Sequence, residues 1–184
     1  MSAALAIRGV RDYLRQQHGW TSQSCGIQYQ AYPPTHAGPF YIALDDAGVE
    51  TGPEETHALK EILTLRVGVW RRPGGLPTDM LGNLQMPDDV YLANALTLAD
   101  LERKVIVKRL GGLHQNYAVM NSVNAQFGLP NDNLGAEFRM PLVYRGRTAM
   151  ESFVNPGDAN PAFFGYKLTF KGLMRLQKNE GTIG

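Results

Sequence analysis

The sequence predicts an α+β fold, a single domain in which a mixed or antiparallel sheet carries helices on one face. Three observations lead there. Segments that alternate apolar and polar residues fall near both ends of the chain, as half-buried strands do. Segments with apolar residues three and four apart fall at the start and in the middle, the spacing of amphipathic helices. Strands gathered at the two ends also lack the strand–helix alternation that builds a parallel sheet. The 184 residues suit one domain, able to bury roughly 70% of the surface that its unfolded chain exposes. That domain is expected over residues 1–177, with a polar tail over 178–184. No internal repeat or second-domain boundary interrupts it.

Residues 3–17 read as the first helix. Ile7, Val10, Tyr13 and Leu14 share one side and Arg8, Arg11, Asp12 and Arg15 the other, with His18-Gly19 as the stop because glycine accepts a left-handed backbone. Alternation then predicts a strand over 26–32, ended by Pro33-Pro34, and a second over 40–44. The polar stretch 45–57 is expected to form a long hairpin tip. The strongest strand signal runs over 59–71, where Leu63, Leu65, Val67 and Val69 alternate with Thr64, Arg66 and Gly68. Residues 71–87 read as a long loop, of the kind that is usually functional.

In the middle, Asp88-Asp89 opens a short helical turn. Thr97, with Asp100 three residues on, has the form of an N-terminal cap, so a helix is expected from there to Leu110, buried through Leu98, Leu101, Val105 and Leu110 with Ile106 beside them, and ended by Gly111-Gly112. A weaker helix follows over 117–127. The last third returns to strand, with 138–144 and 148–154 as a hairpin about an Arg145-Gly146-Arg147 turn. After a Pro/Gly/Asn loop over 155–161, Tyr166, Leu168 and Phe170 alternate, and Gly172 is expected to form a bulge or bend before 173–177.

Chemistry is sparse along this chain. Formal net charge is +1, without the basic excess that gripping nucleic-acid phosphates demands. The one cysteine, Cys25, can close no internal disulfide and reads as a small buried side chain. The first ten residues have no signal-peptide core, and no apolar run is long enough to span a bilayer, so a soluble protein made in the cytoplasm is expected. His18, His36, His57 and His114 stand singly, without metal-ligand spacing. Pro73-Gly74-Gly75 lacks the lysine of a phosphate loop, and no serine is flanked by the glycines of a nucleophile elbow. The acidic pairs Asp45-Asp46, Glu54-Glu55 and Asp88-Asp89 read as solvated turns. No catalytic, cofactor-binding or metal residue is therefore assigned. Arg66, Arg71 and Arg72 read either as a soluble strand end or as charge-assisted contacts to another subunit. Phe163, Phe164 and Tyr166 read as core strand residues, some of them available to an interface. The candidate assembly interface is thus Arg66, Arg71, Arg72, Phe163 and Phe164.

The order of these features resembles the tail terminator, or tail completion, proteins of long-tailed bacteriophages. The helix ending in His18-Gly19-Trp20, the Tyr32-Pro33-Pro34 and Gly38-Pro39-Phe40-Tyr41-Ile42 segments, and the strand running into Arg71-Arg72-Pro73 carry the first half of the resemblance. The Leu101-Glu102-Arg103-Lys104-Val105-Ile106 helix, Leu113-His114-Gln115-Asn116-Tyr117, and the closing strand from Gly165 to Gly172 carry the second. It covers nearly the whole chain as element order and sequence texture.

The resemblance implies a non-enzymatic virion protein without cofactors, assembled in the host cytoplasm into the tail and neck. It implies a homo-oligomer, a hexameric ring that caps the tail tube protein and docks to the head–tail connector or neck protein, with DNA only passing through the lumen and no membrane involved. The loop after Arg72 is longer than the family's pattern. That departure keeps a neck connector, stopper or tube-like subunit in view. A third reading comes from another class: a small hydrolase or ligand-binding protein with a cleft roofed by residues 71–87.

Overall fold

Strand β3 (Ala58–Arg71) occupies the middle of the sheet because both its faces find cover. It pairs antiparallel with β2 (Phe40–Thr51) on one side and β7 (Phe163–Gln177) on the other. A three-residue β1 (Cys25–Ile27) runs parallel to β2 at one edge. At the other edge three short strands, β4 (Ala136–Phe138), β5 (Val143–Arg147) and β6 (Glu151–Phe153), share the outer side of β7. The computed structural model describes residues 2–51, 58–72, 88–126, 136–154 and 163–177. One parallel pair among antiparallel ones makes the sheet mixed, and three helices lie against one face: α1 (Ser2–His18), α2 (Asp88–Ile106) and α3 (Tyr117–Gln126). The expected α+β architecture is present.

The helix-covered face is the main core. Leu63, Leu65, Val67 and Val69 of β3 all point into it, opposite Gly172, Phe170, Leu168 and Tyr166 of β7. From α1 come Ala6, Ile7, Val10 and Leu14, from α2 Leu98, Leu101 and Val105, and from α3 Val119 and Val123. Each valine, leucine or isoleucine among them contributes roughly 1.5–3 kcal/mol on burial. Register runs straight through Gly172, so the expected bulge is absent. Instead, a Cβ there would stand 2.8 Å from Leu142 and 3.0 Å from Phe138; the glycine makes room for two core side chains. Helix α1 ends at Gly19, left-handed at φ 65°, and Arg15 ties it to β1 by donating from Nε to the Cys25 carbonyl at 3.0 Å.

Four further expectations change. Helix α2 is continuous from Asp88 and ends at Ile106, leaving Leu110 exposed in a separate turn, and Thr97 lies in its interior, donating to the Ala93 carbonyl at 3.0 Å. A threonine hydroxyl can bond back to the preceding turn as readily as it can cap, so the local signal fits both positions. The strand expected over 26–32 stops at Ile27, and Gln30 and Ala31 turn left-handed at φ 55° and 56°. Residues 148–154 do not fold back on 138–144; the two stretches follow one another along β7, interrupted at Pro141. The polar stretch after Asp45 is strand as far as Thr51, with a bulge between Asp46 and Gly48. The expected loops at 73–87 and 155–161, the hairpin tip at 52–57, Phe127 and the tail at 178–184 lie outside the described residues.

A smaller core sits on the opposite face. Trp70 is its centre, surrounded by Ala31, Ala37, Tyr41, Ala43 and Phe163 and closed over by Tyr32 and Phe153. The Trp70 indole N–H donates to the Ala31 carbonyl at 2.7 Å. A Cβ on Gly68 would come within 2.1 Å of that same carbonyl, so only glycine lets the left-handed turn approach the sheet.

Candidate assembly surface

Of the five residues singled out from sequence, Arg66, Arg72 and Phe163 lie on the side of this second core and Phe164 in the main core, and these four are committed within the chain. Arg66 stands directly opposite Asp45 across the β2–β3 pair, Nη1 3.8 Å from its carboxylate. Burial against the sheet raises the Asp45 pKa, and Arg66 counters that. Arg72 donates to the carbonyls of Ala37 at 3.3 Å and Thr35 at 3.1 Å, and its guanidinium lies 4.3 Å above the Phe163 ring. It therefore staples the 35–37 turn over the second core. Phe163 is fully buried there and Phe164 is 7% exposed in the main core, leaving almost no surface for another chain. Arg71 is half-buried, and its Nε has no hydrogen-bond partner among the described residues.

Exposed apolar surface lies elsewhere, beginning at the outer edge of β5. Unpaired strand edges attract other strands, and residues 113–116 cover this one. The Tyr144 N–H donates to His114 Nδ1 at 3.0 Å, and the Gln115 N–H donates to the Leu142 carbonyl at 2.8 Å. Asn116 anchors the cover. Its buried amide donates to the Tyr13 hydroxyl at 2.9 Å and the Gly112 carbonyl at 2.7 Å, while its Oδ1 accepts the Ala118 N–H at the start of α3.

Below that cover the chain turns at Pro141 and leaves a trough. Two adjoining cavities of about 360 and 400 Å³ share Met140, Pro141 and Val143 as their floor. Tyr117, Gln115 and Lys108 wall the first; Ile62, Leu173, Arg145 and Lys171 wall the second. Met140 is 53% exposed and Tyr117 57%. Lys171 pairs with Glu50 at 2.9 Å, whereas Lys108 and Arg145 make no ion pair among the described residues. A second apolar feature stands on α2. Leu92 and Leu96, one turn apart, point outward at 57% and 62% exposure, away from the buried Leu98–Leu101–Val105 stripe.

Several titratable groups elsewhere hold elements together. The Tyr166 hydroxyl donates to Glu102 at 2.7 Å, and Arg147 reaches the same carboxylate at 3.3 Å while lying 4.4 Å over the Tyr166 ring. Burial, then the hydrogen bond to Glu102, hold this phenol above its usual pKa, so it remains a donor joining α2 to the sheet. The bulge between Tyr144 and Gly146 makes this possible, because it turns Arg147 toward the helices. His18 stacks on Trp20 at 4.3 Å and burial lowers its pKa. Burial pushes the Cys25 thiol up to about 12. Among the described residues no group of three or more His, Cys, Asp or Glu side chains could hold a metal ion.

Sequence reasoning missed both apolar features. A signal for one was present: with α2 started at Asp88, helical spacing sets Leu92 and Leu96 off the buried stripe. The trough had none, because it joins residues from β3, β5, β7 and the α3 end. No family model matches the sequence, and no curated protein matches it.

Proposed function

We propose that this chain is a virion structural protein, a tail terminator whose copies form a ring that caps the tail tube and joins it to the neck. The observation that carries the reading is the pair of separate apolar features on one subunit: the outward leucines of α2 and the Met140–Tyr117 trough. Clustered exposed apolar side chains mark contact surfaces, and two unlike ones on a single subunit suit head-to-tail contact, the geometry that closes into rings. The resemblance in element order supplies the biological setting. Near-zero net charge suits a lumen through which DNA slides without being held.

Light scattering and negative-stain microscopy of the purified protein, alone and with the tail tube protein, test this. A ring, hexameric by the resemblance, that halts tube growth is the expected result. A strict monomer that leaves tube ends growing would overturn it. A protein that instead polymerises into tubes would be a tube-like subunit.

A further inference from the structure

We infer that the outward face of α2 on one copy seats in the Met140–Pro141–Val143 trough of the next. This rests on the ring reading and names its contact. Three features argue for a second copy as the occupant. The first is shape: Leu92, Leu96 and Asp100 follow one another at four-residue spacing, so they stand in a row on one side of the helix. Two leucines in a row are a ridge, and the two adjoining cavities form a groove with an apolar floor.

The second is charge. Residues 88–100 carry three aspartates and no cation, whereas residues 103–110 carry four cations and no acid. The acidic end bears the leucine ridge. The basic end runs into Lys108, which walls one cavity of the trough while Arg145 walls the other. Asp100 continues the row of Leu92 and Leu96 along α2, and Lys108 contributes to a basic-apolar surface just past the helix end. Asp100 is free to change partner, because its pair with Lys104 at 2.9 Å is an exposed contact along the helix, of little net worth.

The third is separation. Leu96 lies ten residues before the end of α2, about 15 Å at 1.5 Å per residue, so ridge and trough are distinct patches. Distinct complementary patches give a heterologous contact, in which every copy uses both.

Such a contact has a signature that no symmetric dimer shares. Leu96→Asp removes the ridge and Met140→Asp the trough; both side chains are exposed, and circular dichroism checks folding. Should either misfold, Leu92→Asp and Tyr117→Asp replace them. Each variant alone is expected to self-associate about a hundredfold more weakly than wild type, as loss of a central apolar anchor does. Mixed in equal amounts, they form a one-to-one dimer and nothing larger, since one intact ridge meets one intact trough. Reversal of charge in Arg145→Glu weakens assembly, and Asp100→Arg on the same chain restores it. If wild type forms rings and the variants form them equally well, or if the mixture stays monomeric, this contact is wrong while the ring reading stands. If wild type itself is a monomer that ignores tube ends, both fall.

Discussion

The two faces of the sheet are built by different means. On the helix-covered side, strictly alternating aliphatic residues of β3 and β7 meet the stripes of α1, α2 and α3, and many side chains share the work. On the other side, five buried residues gather about Trp70, and the closure depends on particular bonds. These are the indole to the Ala31 carbonyl, Arg72 to the 35–37 turn, and Lys167, whose ammonium lies 3.5 Å over the Tyr32 ring and 3.3 Å from Glu151. A distributed core tolerates variation in detail as long as volume and pattern are kept. A core made of single contacts depends on each of them, and this one also requires two left-handed residues without glycine's freedom.

That contrast makes graded predictions. Leu65→Ala should have the largest effect, about 2–5 kcal/mol, because it opens a cavity where helices and sheet meet. Urea denaturation should show it as one cooperative transition moved to lower denaturant. A change that separated the transition in two would mean the helix layer is not one unit with the sheet. Trp70→Phe should cost less, about 1–3 kcal/mol, by leaving the Ala31 carbonyl unsatisfied and some volume unfilled. Hydrogen exchange should then speed up over residues 29–37 while the amides of 63–69 stay protected. Equal loss in both places would erase the distinction between the faces.

The smallest effect expected is on pH dependence at the rim of the main core. Burial lowers the His18 pKa from 6.5, so folding favours the neutral ring. Its contribution is present above pH 6.5 and is lost as pH falls through the lowered folded value. Thermal melts of wild type should therefore decline below that pH, and His18→Gln should flatten the decline. A steeper decline in the variant would contradict the sign.

Sequence pattern carried much of the fold because alternation and helical spacing are local. The Leu63–Val69 alternation and the Ile7–Val10–Leu14 spacing each need only one element to be read, and both elements appear with their expected ends within a residue or two. Misreadings came where a local signal has two outcomes. Thr97 can cap or bond back; Gly172 can kink a strand or clear space for Leu142. Residues 138–144 and 148–154 look like a hairpin until β7 offers both a longer partner.

The candidate interface residues were ambiguous for a related reason. An arginine at a strand end reads the same whether it meets another subunit or, like Arg72, its own backbone carbonyls. Phe163 and Phe164 alternate faces, and both faces proved to be covered.

By itself, the sequence determined the main core, the helix–strand class and the near-neutral charge, since periodicity and composition are properties of neighbours along the chain. Tertiary structure alone decided the second core, the cover of His114 and Gln115 over the β5 edge, and the trough beside it. Each of these joins residues far apart in the chain, whose meeting depends on which strands pair and in which register.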